Sequence, residues 1–268
     1  MIFEIESIKY HLQIIGEGKP IVFLHGFSEN LSTWDFIKLE GYQLILVDLI
    51  GHGKSDKPYR RKYYRLKVMV KHLNQLIFQL GLKKYSIAGY SMGGRIALAY
   101  ALAYPGEIDT LILESASYGE CGFENRLKRR RDDSNLAKNI RENGIIWFNQ
   151  YWSSLSIFAS QRKLPKTITD EISNRRLSNV PHALSNTLLC TGQGIFPCLK
   201  NQIAGLPMPI LYISGEFDEK YRQTGSEFEK LNTNVKHVII AGCGHNTHIE
   251  NPGAFEKILK QFLEGAAT

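Results

Sequence analysis

Short unbroken apolar runs alternate along this chain with longer stretches in which apolar residues recur every three or four positions. Ile21-Val22-Phe23-Leu24 and Leu44-Ile45-Leu46-Val47 read as strands buried on both faces, because a strand with one wet face would alternate polar with apolar residues. Tyr85-Ser86-Ile87-Ala88, Thr110-Leu111-Ile112-Leu113, Ile210-Leu211-Tyr212-Ile213 and Val238-Ile239-Ile240 read as further strands, and Phe3-Glu4-Ile5 with Lys9 to Ile14 as an opening hairpin. Leu66, Met69, Val70, Leu73, Leu76, Ile77 and Leu80 fall at helical spacing. Ile96 to Ala103 is rich in helix formers and stops before Pro105, and a last helix is expected near Pro252 to Leu263. Strand and helix in alternation predict an α/β fold, a mostly parallel sheet with helices on both faces.

The alternation stops after Glu114. From about Tyr118 to Gln202 no buried strand is evident, and charged and aromatic helical segments stand in its place around Asn125 to Arg141, Ile145 to Trp152 and Thr169 to Arg176. The expected organisation is therefore an α/β core from residues 1–117 and 203–268, with an inserted helical cap at 118–202.

With 43% hydrophobic residues in 268, the chain can build a substantial core. The first residues lack a positive segment followed by an apolar one, and no window approaches the roughly 18 apolar residues of a membrane span, so a soluble, cytoplasmic protein with no membrane partner is expected. Cys121, Cys190, Cys198 and Cys243 show no paired CxxC spacing, which predicts reduced thiols and no zinc site. A net charge of +7 suits nucleic acid or an acidic small molecule. Acidic interruptions such as Asp132-Asp133 and the lack of a nucleic-acid motif favour the small molecule.

Chemistry concentrates at strand ends, where open α/β sheets place their sites. Gly89-Tyr90-Ser91-Met92-Gly93 lies between a strand and a helix and has the pattern of a nucleophile elbow, in which a sharp turn exposes a serine hydroxyl. Asp218 follows the strand at 210–214 and His245 the strand at 238–240, giving the order Ser, Asp, His along the chain. His245 would take the serine proton and Asp218 would fix the tautomer of the ring. The backbone amides of Phe27, after His25-Gly26, and of Met92 are placed to hold a developing oxyanion. Glu216 is the alternative orienting acid in the same loop, and His248 the alternative base or half of a metal pair that lacks the further ligands zinc needs. His25 and His52 read as hydrogen-bonding residues in glycine turns, and Asp48 as a turn cap.

Arg95 lies four residues beyond Ser91, one helical turn on, so its guanidinium can reach the same cavity. An ordinary ester pocket has no use for it. Arg126, Lys128, Arg129, Arg130 and Arg131 form one basic stretch of the cap and Arg175-Arg176 another. Most of a charge run is a solvated face. One arginine from each stretch would suffice for a carboxylate-rich substrate, since guanidinium binds carboxylate in a bidentate fork.

His25-Gly26-Phe27-Ser28, Gly89-Tyr90-Ser91-Met92-Gly93-Gly94-Arg95, Glu114-Ser115-Ala116-Ser117, Phe158-Ala159-Ser160-Gln161, Arg176-Leu177-Ser178-Asn179 and Gly215-Glu216-Phe217-Asp218-Glu219-Lys220 together resemble the SHCHC synthases. These are menaquinone-pathway lyases of the α/β-hydrolase fold, and the similarity runs through nearly the whole chain. The resemblance implies that Ser91, backed by His245 and Asp218, removes a proton from SEPHCHC and that pyruvate is eliminated to give 2-succinyl-6-hydroxy-2,4-cyclohexadiene-1-carboxylate, with no metal or other cofactor. It implies substrate-binding roles for Tyr90, Arg95, Arg129, Trp152 and Arg176, with Arg126, Lys128 and Arg130 standing close enough to exchange with Arg129. Where the family commonly continues Ser-Pro-Gly, this chain has Ser117-Tyr118-Gly119, so the entry into the cap is expected to differ. The alternatives are a carboxylic-ester or carbon–carbon bond hydrolase acting on an anionic substrate, and a non-catalytic binding protein on the same fold. The oligomeric state, monomer or weak homo-oligomer, is left open.

Overall fold

The computed structural model describes residues 1–266. Eight strands form one sheet: β1 (Ile2–Ile5), β2 (Ile8–Ile15), β3 (Lys19–Leu24), β4 (Tyr42–Val47), β5 (Tyr85–Tyr90), β6 (Ile108–Glu114), β7 (Ile210–Gly215) and β8 (Val235–Ile240). Their spatial order is β1-β2-β4-β3-β5-β6-β7-β8. The hairpin β1–β2 and its junction with β4 are antiparallel, and every other pairing is parallel. Alternate residues of β3 enter different halves of the core. Val22 and Leu24 pack with Met69, Leu73, Leu76 and Ile77 of α1 (Leu66–Gln79) and with Ile96 and Tyr100 of α2 (Met92–Ala103). Ile21 and Phe23 pack on the opposite face with Trp34, Phe255, Leu259 and Leu263. Burying each such side chain contributes about 1.5–3 kcal/mol, which explains why the parallel strands carry no alternating polar positions.

Between β6 and β7 the chain makes only helix and turn: α3 (Phe123–Ser154), α4 (Lys166–Leu177) and α5 (Pro181–Thr191), with short 3₁₀ turns. α3 breaks at Gly144, whose φ of 78° and ψ of −174° interrupt the helix where the sequence reading separated two segments. Ala137, Ile140 and Phe148 of α3 bury themselves against Leu184 and Leu188 of α5. The sequence reading assigned no helix at α5. Its buried positions include Ser185, Asn186 and Thr187, so burial on several sides erased the apolar period that marks an amphipathic helix. After β7 come α6 (Glu219–Leu231), the single turn α7 (Thr247–Glu250) and α8 (Pro252–Gly265).

One expectation is corrected. Cys121 and Cys198 are joined in a disulfide rather than standing as reduced thiols, whereas Cys190 and Cys243 are free. The two partners lie 77 residues apart in sequence, one just before α3 and the other after α5, and their Cα atoms approach to 5.2 Å where the helical segment leaves and rejoins the sheet. Spacing along the chain carries no trace of that approach. Among the described residues no helix is long and apolar enough to cross a membrane, and no group of three or more potential metal ligands occurs.

Candidate active site

The turn between β5 and α2 is built by what its glycines leave out. A Cβ on Gly89 would lie 2.5 Å from the Gly93 carbonyl carbon, and one on Gly93 would lie 2.2 Å from the Leu24 carbonyl oxygen, so strand, turn and helix approach this closely only without side chains. Ser91 sits at the apex with φ 50° and ψ −104°, a conformation non-glycine residues rarely hold. Its amide donates to the Glu114 carbonyl at 2.8 Å and its carbonyl accepts from Arg95 N at 3.1 Å, which ties the turn to β6 and to α2.

The Ser91 hydroxyl points at His245 Nε2, 3.1 Å away, and His245 Nδ1 donates to Asp218 Oδ2 at 2.6 Å. Asp218 and His245 are buried, so the pair is shielded from water. Glu216 turns away and accepts from the Gly242 amide. His248 is occupied elsewhere, its Nδ1 on Glu114 Oε2 at 2.6 Å and its Nε2 2.7 Å from Thr33 Oγ1. The His25 ring bonds the Gly26 carbonyl through Nδ1 and accepts the Leu49 amide, and His52 bonds the Ile50 carbonyl. Burial, with the neighbouring His25 ring, pushes His52 down to about 3, so it stays neutral. Asp48 caps the turns at Leu31 and Lys54 by accepting their amides. The amides of Phe27 and Met92 donate to no protein acceptor among the described residues.

A cavity of about 330 Å³ opens over Ser91 and His245. Phe27, Tyr90, Met92, Arg95, Arg129 and Trp152 all line it. Tyr90 is buried between His245 and His248, with ring centroids 5.4 and 4.9 Å away, and burial pushes its hydroxyl well above the usual range, so it stays protonated. Arg95 is 6% exposed, and among the described residues no carboxylate pairs with it. Its Nη2 donates to the Thr191 carbonyl at 3.3 Å, its guanidinium lies 5.4 Å from the Phe196 ring centroid, and its Nε has no partner. Burial pushes its pKa down to about 10, which leaves it charged at neutral pH. A guanidinium desolvated without a counter-charge is costly, and an anionic ligand supplies the missing partner.

The remaining cations divide. Arg129 reaches the cavity and donates from Nε to Asp133 Oδ1 at 2.9 Å, while Arg126 and Arg130 line a separate surface groove with Phe123 and Cys198, and Lys128 is exposed. Arg176 is buried one layer behind the cavity wall. Its guanidinium lies over the Phe158 ring at 5.2 Å, and Nη1 donates to Ser153 Oγ.

Among the wall residues that sequence reasoning did not assign to the site, four bear on its chemistry. Glu29, Gln193, Lys220 and Tyr221 line the cavity. In the amide orientation that satisfies its neighbours, Gln193 accepts from Arg95 Nη1 at 3.1 Å and from the Tyr221 hydroxyl at 3.2 Å and donates to Glu120 at 3.0 Å. The Tyr221 ring packs 4.7 Å from that of His245. Lys220 closes the acid-loop motif and Tyr221 directly follows it, so both were within reach of the reading; nothing local marks Glu29 or Gln193.

Residues 19–252 match the alpha/beta hydrolase fold family. A protein of Enterobacter sp. (strain 638) named 2-succinyl-6-hydroxy-2,4-cyclohexadiene-1-carboxylate synthase is 30% identical over 252 residues, 92% of this chain and 93% of that one. A Bacillus subtilis (strain 168) protein that bears the same name provisionally is 36% identical over 248 residues, 92% of this chain and 90% of that one. The structure of MenH from S. aureus superposes with a TM-score of 0.91 at 32% identity, covering 96% of this chain and 99% of that one. An esterase from Thermogutta terrifontis shares the fold at a TM-score of 0.81 and 24% identity. By sequence along nearly its full length and by the course of its backbone, the chain belongs to the SHCHC synthase (MenH) family of the α/β-hydrolase fold.

Proposed function

We propose that the chain is a menaquinone-pathway lyase that converts SEPHCHC to SHCHC and pyruvate. The observation that carries this reading is the pairing, in one cavity, of a hydrogen-bonded Ser91–His245–Asp218 relay with the buried Arg95 guanidinium, to which no carboxylate among the described residues is bonded. A hydrolase of neutral esters has a use for the first and none for the second.

His245 accepts the Ser91 hydroxyl proton, and the serine oxygen takes the ring C–H proton next to the succinyl carbonyl. The C–H electron pair forms a new ring double bond, the existing ring double bond shifts one position toward the carbon that bears the enolpyruvyl oxygen, the C–O bond breaks, and the leaving group takes up the proton held by His245 and departs as pyruvate. Negative charge grows on the carbonyl oxygen as the proton leaves, and the Phe27 and Met92 amides are free to receive it. Asp218 keeps Nδ1 protonated so that Nε2 faces the serine. Tyr90, Trp152, Arg95 and Arg129 would hold the ring and its carboxylates, with Arg176 behind them. The helices of 118–202 act as a cap that excludes water. This chemistry needs a positioned base and donors only.

The reading places the protein in the cytoplasm, a compartment in which a bridge such as Cys121–Cys198 is uncommon. Asp218→Asn is expected to lower pyruvate release by about 10⁴, the cost of the wrong tautomer in a comparable triad. A loss of less than about tenfold would remove the relay from the mechanism.

A further inference from the structure

Three acids line the cavity that is read as taking a polycarboxylate; Asp132 is exposed, and the two buried ones, Asp133 and Glu29, are each matched by an arginine. Asp133 is held by Arg129 and also accepts the Gly194 amide, and Glu29 is held by Arg175, whose Nε donates to Oε2 at 2.7 Å. The second pair is the more enclosed, with side-chain exposures of 11% for Arg175 and 5% for Glu29. Glu29 follows the turn that carries the Phe27 amide, and Arg175 lies in the last turn of α4, so the pair joins the sheet to the helical segment. Asn179 fastens the same junction: its Nδ2 donates to the Ser28 carbonyl at 2.8 Å and to the carbonyls of Arg175 and Arg176 at 2.9 and 3.1 Å. Arg176, the next residue on the helix, is buried and donates to Ser153 Oγ and Gln161 Oε1, and among the described residues no carboxylate bonds it and its Nε has no partner.

This arrangement has a consequence for selectivity. A buried carboxylate without a counter-charge is strongly disfavoured, so removing Arg175 would leave Glu29 either to swing to the adjacent Arg176 or to stand as a bare negative charge in the wall. Either way the Glu29 charge is less fully compensated in the wall, which opposes an anionic ligand by repulsion at low local dielectric.

We propose that Arg175 is a positioning residue for substrate selection, which holds the Glu29 carboxylate so that its negative charge is not left bare in the cavity wall. The inference rests on the polycarboxylate reading of the site. It predicts an unusual genetic signature: the damage done by losing Arg175 is relieved by losing Glu29 as well.

The test is equilibrium binding of succinate, followed by tryptophan fluorescence, to the full-length wild type, Arg175→Gln, Arg175→Lys, Glu29→Gln and the Glu29→Gln/Arg175→Gln double variant. Because binding is read without turnover, its outcome is separate from whether the wild type releases pyruvate. Arg175→Gln is expected to weaken succinate binding by at least about tenfold, Arg175→Lys by under about threefold, and the double variant is expected to return to within about threefold of wild type. Glu29→Gln alone should bind at least as tightly as wild type. Thermal melts identify any variant that fails to fold, and the double variant then carries the test. Wild-type affinity in Arg175→Gln, a double variant as weak as Arg175→Gln, or no succinate binding by the wild type would overturn the proposal.

Discussion

Glu114 and His248 form a second acid–histidine pair directly behind the first, with His248 Nδ1 2.6 Å from Glu114 Oε2 and neither side chain more than 1% exposed. Glu114 Oε1 also accepts the Thr247 hydroxyl and the His248 amide, so one carboxylate at the end of β6 anchors the loop that carries His245 three residues earlier. The His248 ring stacks on Trp34 with centroids 4.2 Å apart, which leaves it no route to the cavity. Glu114→Ala is expected to cost about 3–5 kcal/mol, because it strands a buried partner. Urea unfolding measures this, and a loss below about 1 kcal/mol would mean that the loop is held by other contacts.

Arg95 separates an anion site from a general esterase pocket. Arg95→Ala removes charge-assisted bonds contributing about 1.5–3 kcal/mol, so kcat/KM for SEPHCHC should fall by about 10- to 100-fold. Hydrolysis of a neutral activated ester, if the wild type supports it, should change far less. Equal losses on both substrates would contradict an anion-binding role.

Glu29 makes acid stability part of the same account. Burial pushes its carboxyl up, but the Arg175 and Arg176 guanidinium groups and the Arg175 hydrogen bond outweigh burial, so its pKa lies below the ordinary carboxylate value. A carboxylate with a lowered folded pKa stabilises the fold above its unfolded pKa, and that contribution is lost as pH falls through the folded value. Glu29→Gln should therefore unfold more easily at neutral pH, by about 3 kcal/mol from the broken buried pair, and then show a shallower loss than wild type on acidification. Parallel stability curves from neutral pH to about pH 3 would contradict the assignment.

How much of this was legible in the sequence depends on whether the signal is local. The strands at 21–24, 44–47 and 210–213 announce themselves because parallel strands are apolar on both faces, and the elbow at 89–93 because a strained turn demands glycine at fixed offsets. The order of Ser91, Asp218 and His245 follows from strand order, which chain alternation already implies. Helix α5 was hidden because its buried face includes hydroxyl and amide side chains. The Cys121–Cys198 bridge and the Glu29–Arg175 pair were hidden because each joins positions far apart in sequence that only tertiary packing brings together. Of the cap cations, Arg129 was singled out only by the family resemblance, with Arg126, Lys128 and Arg130 close enough to exchange with it, and it is Arg129 that lines the cavity over Ser91.

The most direct measurement is pyruvate release from freshly generated SEPHCHC by the purified protein, with Ser91→Ala as the control and no metal or nucleotide added. Rapid release by the wild type that falls to the spontaneous background in Ser91→Ala is the predicted result. Release no faster than background by a wild-type protein that still cleaves activated esters would contradict the lyase and point to a hydrolase built on the same triad.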